Sequence, residues 1–367
     1  MNNNKEKRLG WSLLRKNIYL VLILLGISIR IISFFLYYYR SINSSFGLYS
    51  LGDVHLNFFD LNSIFTGEWI WNQSELAYPP LSIYFLFTLR ILAFNNIYLF
   101  YFYSFILEII VVGLFYVVLK KFSISNYKLI FGLVLVNPFY LACYVFRVYL
   151  SGLRITDSLF CLFLLLSLYF YAKDKKQYFY LFSGLAMCAK WYTLPALVLF
   201  IVKYLLEKDW KEIELILVYI GIPIIVFLVS PVFYLPNYLD LYFSWLSGHG
   251  TTSFIPIYYK LIPISLVTLI ILIKIKSLSD IDIIFLSFII MVSLMWWSRF
   301  YLRYLAPLIY FGHLNKQGKV YFYNFELKGS KINLKMNNHV LTFIASIFAA
   351  IFVIIIAYVE LAAYGLL

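Results

Sequence analysis

Ile18-Tyr-Leu-Val-Leu-Ile-Leu-Leu-Gly-Ile-Ser-Ile-Arg30-Ile-Ile-Ser-Phe-Phe-Leu-Tyr-Tyr-Tyr39 is an apolar run of the length that crosses a bilayer. A helix needs about 20 such residues to span the hydrocarbon. The run follows Lys5-Glu6-Lys7-Arg8 and Arg15-Lys16, the basic flank of a secretory signal peptide. Its apolar part is too long for one, however, and no small-residue cleavage site follows, so it reads as a retained first helix with its N-terminus in the cytoplasm.

Runs of the same kind recur to the C-terminus. Of 367 residues, 63% are apolar and 13% charged, against about 45–50% and 25% in soluble globular chains. The excess is surface for lipid, and no soluble domain of useful size fits between the runs. Backbone polar groups in lipid must be satisfied internally, so each run is expected to be a helix. The expected crossings are 18–38, 97–119, 128–147, 155–172, 177–191, 192–206, 214–233, 256–275, 281–297, 301–314 and 339–360. The fold class is therefore an all-α polytopic membrane protein of about eleven transmembrane helices. Its expected parts are a cytoplasmic basic N-terminus (1–17), a transmembrane module (18–314) with an outer loop (39–78) and an interfacial helix (79–94), a cytoplasmic Lys-rich loop (315–338) and a C-terminal helix (339–367).

The net charge of +13 would suggest nucleic acid in a soluble protein. Here the basic residues cluster between apolar runs, near Lys120-Lys121, Lys173–Lys176, Lys203–Lys211, Lys274–Lys276 and Lys316–Lys335, and all fall on the cytoplasmic side. That is the positive-inside pattern, and no nucleic-acid partner is implied. The parity holds only if 79–94 does not cross. Paired prolines at its start and Arg90 within it suit an interfacial or re-entrant helix. Cys143, Cys161 and Cys188 lie inside apolar runs and read as small buried hydrophobes.

The outer loop 39–78 gathers four acids, Asp53, Asp60, Glu68 and Glu75. Asp53-Val-His55 and Asp60 lie within about two helical turns, where a carboxylate could deprotonate a sugar hydroxyl or, more plainly, cap a helix or face water. His55 could shuttle a proton or join Asp53 around a divalent metal, although one imidazole and two acids make a thin ligand set. No cofactor is required by these motifs. Arg147, Arg154, Lys190, Arg299 and Arg303 all fall on the outer side, against the positive-inside trend. Such cations suit a lipid phosphate, which arginine grips with two nitrogens, or simply pair with acids such as Asp157. A second outer loop carries Asp240, Trp245 and Gly248-His249-Gly250, polar and aromatic enough to hold a sugar. There is no Walker loop, dinucleotide turn, His-Glu-x-x-His helix or Gly-x-Ser-x-Gly elbow, so nucleotide-driven cytoplasmic chemistry has no support.

Four separated blocks carry a family likeness: Asp53-Val-His55 with Asp60, Gly67 and Tyr78-Pro-Pro-Leu81; Asn137-Pro138 followed by Gly152-Leu-Arg-Ile-Thr-Asp157; Gly184-Leu-Ala-Met-Cys-Ala-Lys190-Trp-Tyr192-Thr-Leu-Pro195; and Arg303-Tyr-Leu-Ala-Pro-Leu308. Across 45–310 the chain resembles the GT-C membrane glycosyltransferases. The nearest likeness is to the catalytic mannosyltransferases that add the first mannose to glycosylphosphatidylinositol. His55 stands where that family has a second aspartate.

The resemblance implies an inverting glycosyltransferase, a mannosyltransferase by its nearest likeness. It would move a hexose from a dolichyl- or polyprenyl-phosphate donor to a lipid-linked glycan or glycolipid at the non-cytoplasmic face. Asp53 would be the base, with Asp60 and His55 assisting, and Lys190 with the arginines would hold the departing phosphate. Asp157, Tyr78, Tyr192 and His249 would position substrate. The partners implied are the donor, the acceptor, membrane lipids and a small membrane subunit. The setting would be a prokaryotic plasma membrane of archaeal kind or, in a eukaryote, the endoplasmic reticulum. A transporter or flippase of lipid-linked sugars is the reading from another class.

Overall fold

The computed structural model describes residues 3–43, 51, 53–61, 78–145, 155–231, 257–295, 306–314, 321–327, 330–336 and 338–363. The helices are α1 (Asn3–Asn43), α2 (Asp53–Asp60), α3 (Pro80–Leu92), α4 (Ile97–Lys121), α5 (Tyr127–Leu135), α6 (Pro138–Tyr140), α7 (Ile155–Tyr171), α8 (Lys176–Ala189) and α9 (Pro195–Glu207). They continue as α10 (Trp210–Tyr219), α11 (Gly221–Ile224), α12 (Ile257–Lys274), α13 (Asp280–Met295), α14 (Leu308–Leu314) and α15 (Asn338–Ala363). Strands β1 (Tyr321–Leu327) and β2 (Ser330–Met336) precede α15.

Among the described residues, three helical stretches are long and apolar enough to cross a membrane: Asn17–Asn43, Ile97–Lys121 and Trp210–Val229. A fourth forms if α8 and the segment Trp191–Glu207, which meet at a bend of 120°, count as one broken span. Along α1 the side chains of Val21, Leu24, Ile32 and Phe35 are each more than half exposed. A band of that kind needs an apolar solvent. The chain is thus a helical protein with the long apolar helices of a multi-pass membrane protein.

Several expected crossings differ in detail. The stretch 128–147 is interrupted, because Pro138 has no N–H to continue α5 and Asn137 begins a new turn. The Asn137 side chain accepts from the Phe139 and Tyr140 amides at 3.1 and 3.0 Å, and a wider turn, Leu141–Val145, follows α6. The expected pair 177–191 and 192–206 is the bent pair. The crossing placed at 214–233 begins earlier, at Trp210. Of 301–314, helix is described only over Leu308–Leu314. The stretch 315–338, read as a loop, holds the antiparallel ribbon β1–β2, with Tyr323 opposite Leu334 and Glu326 opposite Lys331.

The chain divides into two compact units, one of Met1–Ser50, Phe115–Gly152 and Ala306–Leu367, the other of Leu51–Leu114 and Leu153–Leu305. In the first, α1 packs on α5 through glycine. A Cβ added at Gly26 would lie 2.5 Å from Leu135 Cβ, and one at Gly132 would lie 2.9 Å from Leu22 Cβ. Small residues let helices in lipid approach this closely. Buried Arg30 donates through Nη1 to the carbonyls of Gly26 (3.0 Å) and Leu135 (2.7 Å). The second of these is a carbonyl at the end of α5, where the break at Pro138 leaves acceptors without intrahelical donors.

In the second unit, α7 and α8 form an antiparallel pair. Stacked Phe170 and Phe182 rings (centroids 5.4 Å apart) and a Ser167–Ser183 hydroxyl contact of 2.7 Å join them. A Cβ at Gly184 would meet Ile220 Cα at 3.0 Å, so only glycine lets α8 lie against that backbone without adjustment. Phe288 of α13 closes the core against Phe160 and Tyr192. These contacts fix the ends of α7 and α8 relative to each other, and the candidate site lies at those ends.

Candidate functional site

Lys190 occupies the break between α8 and α9. Its backbone is extended (φ −149°, ψ 134°), a short turn, Trp191–Thr193, follows, and Pro195 opens α9 in the first-turn position that proline suits. The side chain is buried, as is that of Asp157 in the first turn of α7. Their Nζ and Oδ1 atoms are 3.1 Å apart. Both charges sit favourably, the carboxylate at a helix N-terminus and the ammonium at a C-terminus.

Two tyrosines complete the group. The Tyr192 hydroxyl donates to Asp157 Oδ1 at 3.3 Å, and Lys190 Nζ lies 4.8 Å from the Tyr78 ring centre and 5.4 Å from that of Tyr192. Aromatic faces stabilise a desolvated ammonium by about 2 kcal/mol. Tyr78 is set by Pro79-Pro80 at the start of α3, and α3 is fastened beside the break by Ser82 Oγ donating to the Ala189 carbonyl at 2.6 Å. Residues from three separate sequence blocks thereby meet.

Sequence reasoning missed two neighbours. Thr156 and Thr193 adjoin Asp157 and Tyr192 in the chain, both are buried, and neither hydroxyl has a hydrogen-bond partner among the described residues. Leaving a buried hydroxyl unsatisfied costs about 1–3 kcal/mol. The signal was present only as two threonines beside charged or aromatic residues, too common a pattern to single out.

The helix α2 carries Asp53 at its first position and Asp60 at its last. At 1.5 Å per residue the two positions lie about 10 Å apart along the helix axis. Val54, Phe58 and the flanking Leu51 and Leu61 are buried, which seats α2 by its apolar face. Arg90 secures it from α3, donating Nη1 to the Phe58 carbonyl and Nε to Asn95 Oδ1 at 2.8 Å, with its guanidinium 4.2 Å from the Phe58 ring centre. Arg90 is therefore paired with polar groups within the fold. Half-buried His55 packs on Phe59 at 4.7 Å, and burial pushes its pKa below the ordinary value.

Arg147, Arg154, Arg299, Arg303 and His249 lie outside the described residues. Among the described residues, no three His, Cys, Asp or Glu side chains gather as a metal site would require. No family model, curated protein or solved structure matches the chain.

Proposed function

We propose that the protein is an inverting glycosyltransferase that takes a hexose, mannose by its nearest resemblance, from a polyprenyl- or dolichyl-phosphate donor. The acceptor would be a lipid-linked glycan or glycolipid at the non-cytoplasmic membrane face. One observation carries the reading: Tyr78, Asp157, Lys190 and Tyr192, drawn from blocks that resemble GT-C enzymes, converge on a single buried cluster. In this scheme the phosphate leaving group needs its developing charge met, and a desolvated cation held in place meets it without reorganisation. Lys190 is that cation, Asp157 and Tyr192 hold its position, and the two threonines supply hydroxyls to the ligand. Asp53 removes the acceptor proton, with His55, kept neutral by burial, and Asp60 on the same helix assisting.

The second reading, a transporter or flippase of lipid-linked sugars, draws on the helix broken at Lys190, since interrupted helices line substrate paths in transporters. Transfer of labelled hexose from a polyprenyl-phosphate donor to membrane lipids separates the two. With native protein and Asp53→Asn at equal expression, the enzyme reading expects one labelled product that the variant does not form. Equal labelling in both overturns it. So does the absence of product when the native protein moves the labelled lipid across reconstituted vesicles.

A further inference from the structure

Helix α2 is eight residues long and carries Asp53 as its first residue. Isolated helices shorter than about 12–15 residues are marginal, so contacts from outside α2 set its place. Leu51, Val54, Phe58 and Leu61 are buried, and the Phe58 ring lies 5.5 Å from that of Phe100 on α4. Such contacts hold a helix down without fixing its axial position, because burial of apolar area is non-directional. The directional contact is Arg90 Nη1 donating to the Phe58 carbonyl. Phe58 lies in the last turn of α2, where carbonyls have no intrahelical donor and a cation is favoured. Arg90 is itself locked: it is buried, and its Nε donates to Asn95 Oδ1 at 2.8 Å while the Asn95 amide donates back to the Arg90 carbonyl at 3.2 Å. Asn95 has a φ of 57°, in the left-handed region that asparagine tolerates.

The other end of α3 is fixed to the Lys190 cluster. The Tyr78 ring lies beside the ammonium, and Ser82 Oγ donates at 2.6 Å to the carbonyl of Ala189, the residue before Lys190. From Ser82 to Arg90 the helix rises about 12 Å. Within one compact unit, α3 thus reaches from the cation to the helix that carries the carboxylate. The proposed transfer depends on that spacing. The acceptor oxygen bonds to the anomeric carbon on one side as the bond to the donor phosphate oxygen breaks on the other. The acceptor proton passes to Asp53, and the electron pair leaves with the phosphate beside Lys190. Base and cation therefore act from opposite sides of a sugar ring, where a misplacement of about 1 Å costs about 10²-fold in rate.

We infer that Arg90 is a positioning residue for this reaction: through the Phe58 carbonyl it sets α2, and with it Asp53, at a fixed spacing from Lys190. The inference rests on the proposed transfer activity and is tested in the full-length protein. Hexose transfer is measured, with donor and acceptor each varied, for native protein, Arg90→Gln, Arg90→Lys and Asn95→Gly, the last removing Oδ1 where glycine adopts the same φ. Arg90→Gln should lower kcat about 10–10²-fold with donor KM within about twofold of native, because the Lys190 cluster is untouched. Arg90→Lys keeps the charge but lacks the fork of nitrogens, and should recover part of the loss. Asn95→Gly should lower kcat by a smaller factor. In protein with Cys143, Cys161 and Cys188 replaced by alanine, a spin label at exposed Phe59→Cys on α2 should gain motion when Arg90→Gln or Asn95→Gly is added, while one at exposed Val198→Cys on α9 should not. Unchanged kcat in Arg90→Gln, motion gained at neither label, or motion gained at both, as for a general brace of the fold, each overturns the inference and leaves the transfer reading standing. Absence of transfer by the native protein instead overturns that reading, and this role with it.

Discussion

Two buried lysine–aspartate pairs lie in the same unit, and they are built differently. Lys203 Nζ is 2.8 Å from Asp280 Oδ1, and Tyr204 donates to both Asp280 oxygens at 2.9 Å. Tyr180 reaches Tyr204 at 3.5 Å and Glu212 at 2.9 Å, and Lys176 closes the chain on Glu212. Every member sits at or near a helix end beside the basic connections, and hydroxyls meet the carboxylates. Both ammonium groups lie over tyrosine rings, Lys203 at 4.8 Å from that of Tyr204 and Lys190 at 4.8 and 5.4 Å from those of Tyr78 and Tyr192, but the Lys190–Asp157 pair adjoins in the chain Thr156 and Thr193, whose buried hydroxyls have no hydrogen-bond partner among the described residues. In the first arrangement hydroxyls meet both carboxylates; beside the second, the Thr156 and Thr193 hydroxyls meet none of the described groups.

The largest expected effect separates the pairs by activity. Lys190→Met should lower sugar transfer about 10²–10³-fold, the loss typical of removing one group that stabilises a developing anion. Adding Asp157→Leu should restore stability without restoring transfer, measured by thermal unfolding in detergent and by product formation. Recovery of transfer in the double variant would erase the functional distinction.

Next, Lys203→Met should destabilise by about 3–5 kcal/mol, because it leaves Asp280 buried and without its cation. The further change Asp280→Leu should recover much of that loss, and the folded double variant should keep transfer. Gly184→Ala, on the helix that carries Tyr180 at one end and leads to Lys190 at the other, forces the Ile220 backbone to give way and should cost about 1–3 kcal/mol. It should weaken both regions, so an effect on transfer alone would place the strain at Lys190.

The smallest effect concerns pH. His55 has a folded pKa below its ordinary 6.5, so folded and unfolded chains are both neutral above that value and it contributes no pH dependence there. As pH falls through 6.5 the unfolded chain binds the proton first, and stability is lost down to the folded value. His55→Gln should remove that slope from unfolding curves taken between roughly pH 7.5 and 5.

The helices were legible because hydropathy is local: α4, α7, α8 and α9 fall within a few residues of the expected crossings. The direction of α9 was not, since a 120° turn at Lys190 depends on what packs around the break. Asp157, Lys190, Tyr192 and Tyr78 were picked out by motif, yet their meeting needed the three-dimensional path. The Lys203–Asp280 network escaped notice because its partners lie 77 and 76 positions apart in charged connections that resemble ordinary solvated loops. The ribbon was hidden by its lysines, which made a Tyr-and-Phe alternation look like a basic loop.

Arg30 imposes an order of events on synthesis. It lies at the midpoint of Asn17–Asn43, where an arginine opposes insertion by about 2.5–3.5 kcal/mol. Of the two carbonyls that receive it, one is that of Gly26 on the same helix and the other that of Leu135, made 105 residues later. Until α5 emerges, the guanidinium has the Gly26 carbonyl of its own helix but not that of Leu135, so the full arrangement forms only after α5 is made. The glycines at 26 and 132 then let the two helices close on each other.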